Sequence, residues 1–167
     1  MEKLRTINTT LALLIKGDKI LLGEKKRGFA KGTLNGIGGK QDPGETIEQA
    51  MIRETQEEIG ATPEKFEQVG RIDFDMYYKG EHAFMKMYIY KVTKFDGEIH
   101  ETEEMIPTWF DCDKIPYEKM LEDDLLWFKD VLAGYKILGN VKFSPEMKML
   151  SHKFGRVNST EEIMDIK

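Results

Sequence analysis

Cysteine is almost missing. Cys112 stands alone in 167 residues, which excludes an intrachain disulfide and a cysteine-rich zinc site and fits a reducing cytoplasm. A basic surplus is missing too: 25 Lys and Arg face 30 Asp and Glu, a net of −5, which argues against a protein that coats a nucleic-acid polymer. An anionic small substrate remains admissible where a metal ion screens the repulsion. Long apolar runs are also lacking. The stretch from Leu11 to Ile15 is far too short for a membrane span or a signal-peptide core, so no membrane partner is expected. Repeats, low-complexity blocks and linkers are absent, and one domain over 1–167, with a monomer favoured, is the expectation. What is present is a globular composition, 40% apolar, too rich for a disordered chain.

The residues from Thr9 to Ile15 read as a buried strand, and Lys16-Gly-Asp18 turns the chain into a hairpin partner at Lys19–Gly23. Six glycines then fall in the eighteen residues from Arg27 to Gly44, a loop that needs unusual backbone angles or close approach to a ligand. Thr46 and Gln49 make a capping box, and the helix they open should reach Ile59 and stop at Gly60. Val69–Tyr78 and Ala83–Val92 have the content of strands joined through Lys79-Gly80, and Thr108–Phe110 that of a shorter one. Asp123–Ala133 predicts a second helix, and the polar stretch from about Ser151 a flexible tail. This order predicts a mixed α/β architecture with helices packed on a sheet.

The first helix carries the chemistry. With Ile47 at zero and about 100° per residue, Met51, Ile52, Thr55 and Ile59 share the stripe that meets the core. Glu54, Glu57 and Glu58 fall immediately beside it, along the border between core and solvent. Like charges at i,i+3 and i,i+4, near the end where the helix dipole disfavours anions, need compensation. A hard divalent cation supplies it through carboxylate oxygens; a solvated acidic face is the plainer alternative. Arg53 can hold a carboxylate in a bidentate contact, and Glu45, just before the helix, can pair with it or cap an amide. The glycine loop upstream lets backbone groups approach the same metal or a phosphate chain.

Gly39, five residues, Glu45, seven residues, then Arg53-Glu54-Thr55-Gln56-Glu57-Glu58-Ile59-Gly60-Ala61 resembles the Nudix box over 39–61. Every fixed polar and glycine position of that box is matched. Thr55 stands at an aliphatic position, which should weaken core packing slightly. The resemblance implies a mixed β-sheet sandwiched between helices and Mg²⁺-dependent hydrolysis, with Mn²⁺ as a possible substitute, of a nucleoside diphosphate linked to another moiety. It implies Glu54, Glu57 and Glu58 as metal-binding and catalytic glutamates, with a backbone carbonyl of Gly38 beside them. Arg53 and Glu45 become the supporting ion pair, and Glu57 or Glu58 orients or deprotonates the attacking water.

Beyond the box, Lys25-Lys-Arg-Gly-Phe29, Asn35-Gly-Ile-Gly-Gly-Lys40, Glu104-Met105 and Asp123-Asp124 are similar to the animal-type oxidised-purine nucleoside triphosphatases. That likeness runs from about Thr9 to Phe128 and implies release of a monophosphate and pyrophosphate. It places Asn35, Asp123 and Asp124 at the purine edge, Thr10, Lys25, Phe29, Gly38, Gly39 and Lys40 around the nucleotide, and Glu104 as an additional carboxylate. Two adjacent carboxyls in an apolar pocket should not both ionise, so one can donate to the base while the other accepts. Plainer readings exist: an N-terminal Asp pair opening a helix, a solvated run at 25–27, and Met105 and Trp127 as core. Two tryptophans of that branch are replaced by Leu34 and Leu121, the second beside the base. Another nucleoside diphosphate derivative is the alternative substrate, and a non-catalytic nucleotide-binding module a remoter one.

Overall fold

The computed structural model describes residues 5–28 and 30–159. Eight strands form one mixed sheet: β1 (Arg5–Lys16), β2 (Lys19–Lys25), β3 (Leu34–Asn35), β4 (Thr62–Tyr78), β5 (Glu81–Asp96), β6 (Met105–Asp111), β7 (Lys136–Phe143) and β8 (Met149–Val157). The path β2-β1-β5-β4-β7-β8 runs across it, and β3 and β6 both pair with β2. β1 lies parallel to β5 and β4 parallel to β7, while the remaining pairs are antiparallel.

Alternation along β1 explains why both sheet faces are covered. Leu11 and Leu13 point into one apolar cluster, with Ile72, Phe74, Met76, Trp127 and Phe128. Ala12 and Leu14 point into the other, with Met51, Ile59, Tyr90 and Val92. The helix α1 (Ile47–Ile59) covers the second face, and α2 (Phe128–Leu132) packs against the first. A mixed sheet between helices is therefore the architecture. Among the described residues, no helix is long and apolar enough to cross a membrane.

The expected start and end of α1 are both present. Thr46 Oγ1 accepts from the Gln49 amide at 3.1 Å, and Gln49 Oε1 accepts from the Thr46 amide at 2.8 Å. Gly60, at φ 80°, closes the helix, and its amide donates to the Gln56 carbonyl at 2.9 Å. Thr55 is fully buried and donates its hydroxyl to the Met51 carbonyl at 2.7 Å, so its polar atom is satisfied inside the helix.

Three expectations are corrected. The second helix does not run through Asp123–Ala133: a 3₁₀ turn at Glu122–Leu126 precedes a short α2 at Phe128–Leu132. The tail read as flexible from Ser151 is strand β8 as far as Val157, paired with β7 along its length, and 160–167 lie outside the described residues. The central hairpin is longer than expected, at Thr62–Tyr78 and Glu81–Asp96. β8 looks like a loop in sequence because an edge strand needs one ladder and little burial, and most of its residues are exposed.

Candidate active site

The glycine loop is stitched to β1 as a short continuation of the sheet. Thr10 N donates to Gly39 O at 2.9 Å, Ile37 N to Ala12 O at 2.9 Å and Gln41 N to Asn8 O at 2.9 Å. A Cβ at Gly38 would stand 1.7 Å from the Thr10 carbonyl oxygen, and one at Gly39 would stand 2.4 Å from the Glu54 carboxyl carbon. Both positions therefore demand glycine for close approach, one to β1 and one to the helix carboxylate.

Arg53 organises the carboxylates. Its Nε donates to Glu45 Oε2 at 3.0 Å and its Nη2 to Glu45 Oε1 at 2.6 Å, the bidentate pair expected. Further bonds run from Nη1 to Glu54 at 2.9 Å and Glu57 at 3.2 Å, and from Nη2 to the Lys40 carbonyl at 2.9 Å. The guanidinium holds the Glu45 carboxyl down at about 2. Glu58 behaves in the opposite way. Burial, then the charge of Glu54, push it up to about 8, with the Gly38 amide acting against the shift. Its Oε2 is buried without a hydrogen-bond partner.

Glu104 is brought to the end of α1 by the loop before β6. Thr102 donates its hydroxyl to the Glu58 carbonyl at 2.8 Å, and the His100 amide donates to the Ile59 carbonyl at 3.1 Å, satisfying carbonyls at the helix end. Arg27 is ion-paired with Glu104, and Lys26 Nζ contacts Glu101 at 2.8 Å. The basic run at 25–27 is thus largely occupied by this acidic loop; Lys25 contributes its charge toward Glu58 and Glu104. Among the described residues, no three carboxylates or imidazoles stand closed around a metal position. Glu54 and Glu57 are turned onto Arg53, and Glu104 onto Arg27. The donor set nevertheless fits a hard divalent cation: all side-chain donors are carboxylate oxygens, and one is buried and orphaned.

A second group of residues forms far from the box in sequence. Asn35 Nδ2 donates to Asp124 Oδ2 at 3.3 Å, and Asn35 Oδ1 accepts from the Gly36 amide at 2.8 Å. Asp124 is 1% exposed, and burial followed by the charge of Asp123 pushes its carboxyl up to about 8, over opposing bonds from Leu121 and Asn35. Burial raises Asp123 as well. The plainer role for this pair, capping a helix, fails: Leu121 is the N-cap of the 3₁₀ turn, without a side-chain cap bond, and both aspartates are buried.

Leu34 is packed in the core cluster and Leu121 is half-buried. Phe74 lies stacked on Phe143, with centroids 6.2 Å apart, so this face keeps aromatic walls without those two tryptophans. Met105 and Trp127 are core, as read, but the Trp127 indole N–H is buried without a partner. The Thr10 hydroxyl is buried and unpartnered likewise. Phe29 lies outside the described residues. Sequence reasoning did not find the Trp127 donor, nor Arg27 as partner of Glu104, nor Tyr78, whose hydroxyl accepts from Lys40. A hydrogen-bond orphan has no one-dimensional signature, and an ion pair across 77 positions has none either.

The profile of the NUDIX domain matches residues 5–131. An oxidized purine nucleoside triphosphate hydrolase of Danio rerio is 43% identical over 148 residues, which cover 89% of this chain and 94% of that protein. The protein of the same description from Mus musculus is 39% identical over 150 residues, 90% of this chain and 95% of its own. Among solved structures, a MutT protein from Bacillus halodurans is similar at TM-score 0.77 and 26% identity, across 89% of this chain and 97% of that one.

Proposed function

The chain belongs to the NUDIX domain family and is a Nudix hydrolase, and from that premise we propose that it hydrolyses oxidised purine nucleoside triphosphates, of the 8-oxo-dGTP type. The products are the monophosphate and pyrophosphate, and the role is to clear damaged precursors from the nucleotide pool. The observation that carries this reading is the pairing of half-buried Asn35 with buried Asp124, with Asp123 beside it. At neutral pH, Asp124 keeps its proton and donates to the exocyclic oxygen of the purine. Asp123 accepts from ring N–H groups, and Asn35 offers both a donor and an acceptor. Oxidation at C8 turns N7 from an acceptor into an N–H donor, so an accepting carboxylate at that edge favours the oxidised base.

Glu54, Glu57, Glu58 and Glu104, with the Gly38 carbonyl, are the groups that hold Mg²⁺, or Mn²⁺ in its place. A divalent cation held there would supply charge neutralisation of the phosphate chain during attack by water. Arg53 and Glu45 keep the helix carboxylates in place, and Glu57 or Glu58 orients or deprotonates the water. Thr10, Lys25, Gly39 and Lys40 border the nucleotide. The protein acts in the cytoplasm as a monomer on a small-molecule substrate, without a nucleic-acid polymer as partner.

The test compares 8-oxo-dGTP, 2-hydroxy-dATP, dGTP and a nucleoside-diphosphate sugar at equal concentration with Mg²⁺. The expected result is strong preference for an oxidised triphosphate with pyrophosphate as co-product. Indifference to base oxidation, or preference for the sugar conjugate, overturns the pocket assignment while leaving the hydrolase chemistry in place.

A further inference from the structure

Around Lys40, at the end of the sheet, stands a cationic cluster whose other members have no role in the account so far. Tyr78, the last residue of β4, is surrounded by three positive side chains from separate parts of the chain. Lys40 Nζ lies 4.0 Å from the ring centroid, Arg5 Cζ 5.3 Å and Lys79 Nζ 5.4 Å. The Lys40 ammonium also donates to the Tyr78 hydroxyl. Among the described residues, none of the three cations has a carboxylate within salt-bridge distance, in a chain whose net charge is −5. Three uncompensated like charges on one ring repel one another and call for an anion.

The position of the cluster says which anion. Residues 74, 76 and 78 of β4 alternate onto one face with no bulge between them, and Phe74 and Met76 belong to the apolar cluster that also holds Leu34 and Trp127. Tyr78 therefore stands on the face of the base pocket, farther along the sheet. Lys40 links it to the carboxylates, since its carbonyl accepts from Arg53 and its neighbour Gly39 abuts Glu54. Lys40 thus meets the cluster with its ammonium, while its backbone carbonyl binds the same Arg53 that holds Glu54 and Glu57. An open groove of about 370 Å³ runs alongside, bordered by Arg5, Asn8, Lys40 and the 41–45 loop. The acids in it, Asp42 and Glu45, are both paired with Arg53, at 3.3 and 2.6 Å.

We propose that Arg5, Tyr78 and Lys79, together with the Lys40 ammonium, form a subsite for the terminal phosphates of the substrate, the part that leaves as pyrophosphate. This rests on the triphosphatase reading above. The subsite makes the enzyme select triphosphates over shorter phosphate chains, a property the Nudix box does not supply. Multiply charged pyrophosphate matches three cations, whereas a monophosphate bound at the base pocket does not extend to them.

The test titrates inorganic pyrophosphate into the Mg²⁺-loaded enzyme by calorimetry, for wild type and for an Arg5→Ala/Lys79→Ala double variant. Pyrophosphate affinity should fall about tenfold, the loss of about two weak charge-assisted contacts. The KM for the triphosphate should rise with it, while binding of the nucleoside monophosphate stays as in wild type. An Arg5→Lys/Lys79→Arg variant should restore both values, which a merely structural role would not require. Unchanged pyrophosphate affinity in the double variant overturns the subsite, and so does an equal weakening of the monophosphate. Pyrophosphate binding is read without reference to the base, so failure of the oxidised-purine reading leaves this result standing, and the reverse holds too.

Discussion

The two halves of the candidate site use the same residue types to opposite electrostatic ends. On α1, carboxylates lie at a partly solvated border, and Arg53 touches Glu45, Glu54 and Glu57 at 2.6–3.2 Å. Glu45 is held down at about 2, an anion at any physiological pH. In the proposed base pocket, among the described residues, no cation is paired with Asp123 or Asp124 as Arg53 is with Glu45. Asp124, beside Asp123 and an uncharged amide, is pushed up to about 8, and in the proposed pocket its retained proton is the one offered to the base. On the proposed function, charge is retained where phosphates and a cation would be handled, and suppressed where hydrogen bonds to a neutral base would be read. The pairing partner decides between the two roles more than the carboxyl group does. Glu58 stands between the regimes: it is buried like Asp124 yet belongs to the box, and its Oε2 has no hydrogen-bond partner, the place the proposed cation would take.

The comparison is sharpened first by Glu58→Gln. Turnover of every triphosphate should fall about a thousandfold, because an oxygen ligand and a base are lost together. Preference among bases should persist in the residual activity, and Mn²⁺ affinity read by electron paramagnetic resonance should weaken. Wild-type rates would sink the metal assignment. Asp123→Asn should act on the other half, cutting the preference for 8-oxo-dGTP over dGTP about tenfold, the worth of one buried hydrogen bond. Competition between the two nucleotides reads that ratio directly. If both substitutions lower the same parameter by the same factor, the division into two regimes is broken.

pH gives a second handle on the pocket. The folded state holds the Asp124 proton to about 8, whereas the unfolded chain releases it near the ordinary carboxylate value of 3.8. The stability contributed by this group is fully present below that lower value and is lost as pH rises through about 8. Affinity for the purine triphosphate should decline over the same upper window. Denaturant melts and binding assays between pH 5 and 9 should both show the slope in wild type and a shallower one in Asp124→Asn. Leu121→Trp should have a smaller effect, tightening base binding by about 1 kcal/mol if a ring can stack there. Weaker binding would show that Leu121 is part of a rebuilt wall. Thr46→Ala should have the smallest effect on the site, none on base preference, while costing about 1 kcal/mol of stability in a melt through the lost capping box.

The two halves also differ in how far they were legible. Helix α1, its caps and its carboxylate edge are local: periodicity and a contiguous motif place Thr46, Arg53, Glu54 and Glu58 within one helix length. Asn35 and Asp124 are separated by 89 positions, and only resemblance joined them; their own sequence surroundings read as a turn and a helix start. The second helix was overestimated because Asp123, Asp124 and the apolar residues after them have helical spacing. The chain there uses a 3₁₀ turn instead, which puts both aspartates inside. β8 was missed because hydropathy records burial, and its pairing with β7 leaves little of it buried. Gly139 carries the hint in hindsight: the Phe154 ring occupies the space a side chain would take.

The hydrogen bonds that join 37–41 to β1 have a consequence for how the site breathes. Backbone amides in a glycine-rich loop ordinarily exchange with deuterium in seconds, through local opening. Here Ile37 N and Gln41 N are donors to β1 carbonyls, and β1 is itself paired with β5 from Arg5 to Leu14. Those loop amides should open only when the central strand opens, so their exchange belongs to the slow, global class. The glycines thus furnish a rigid lip at the substrate site, and discrimination there is a matter of fixed shape, set before the nucleotide arrives.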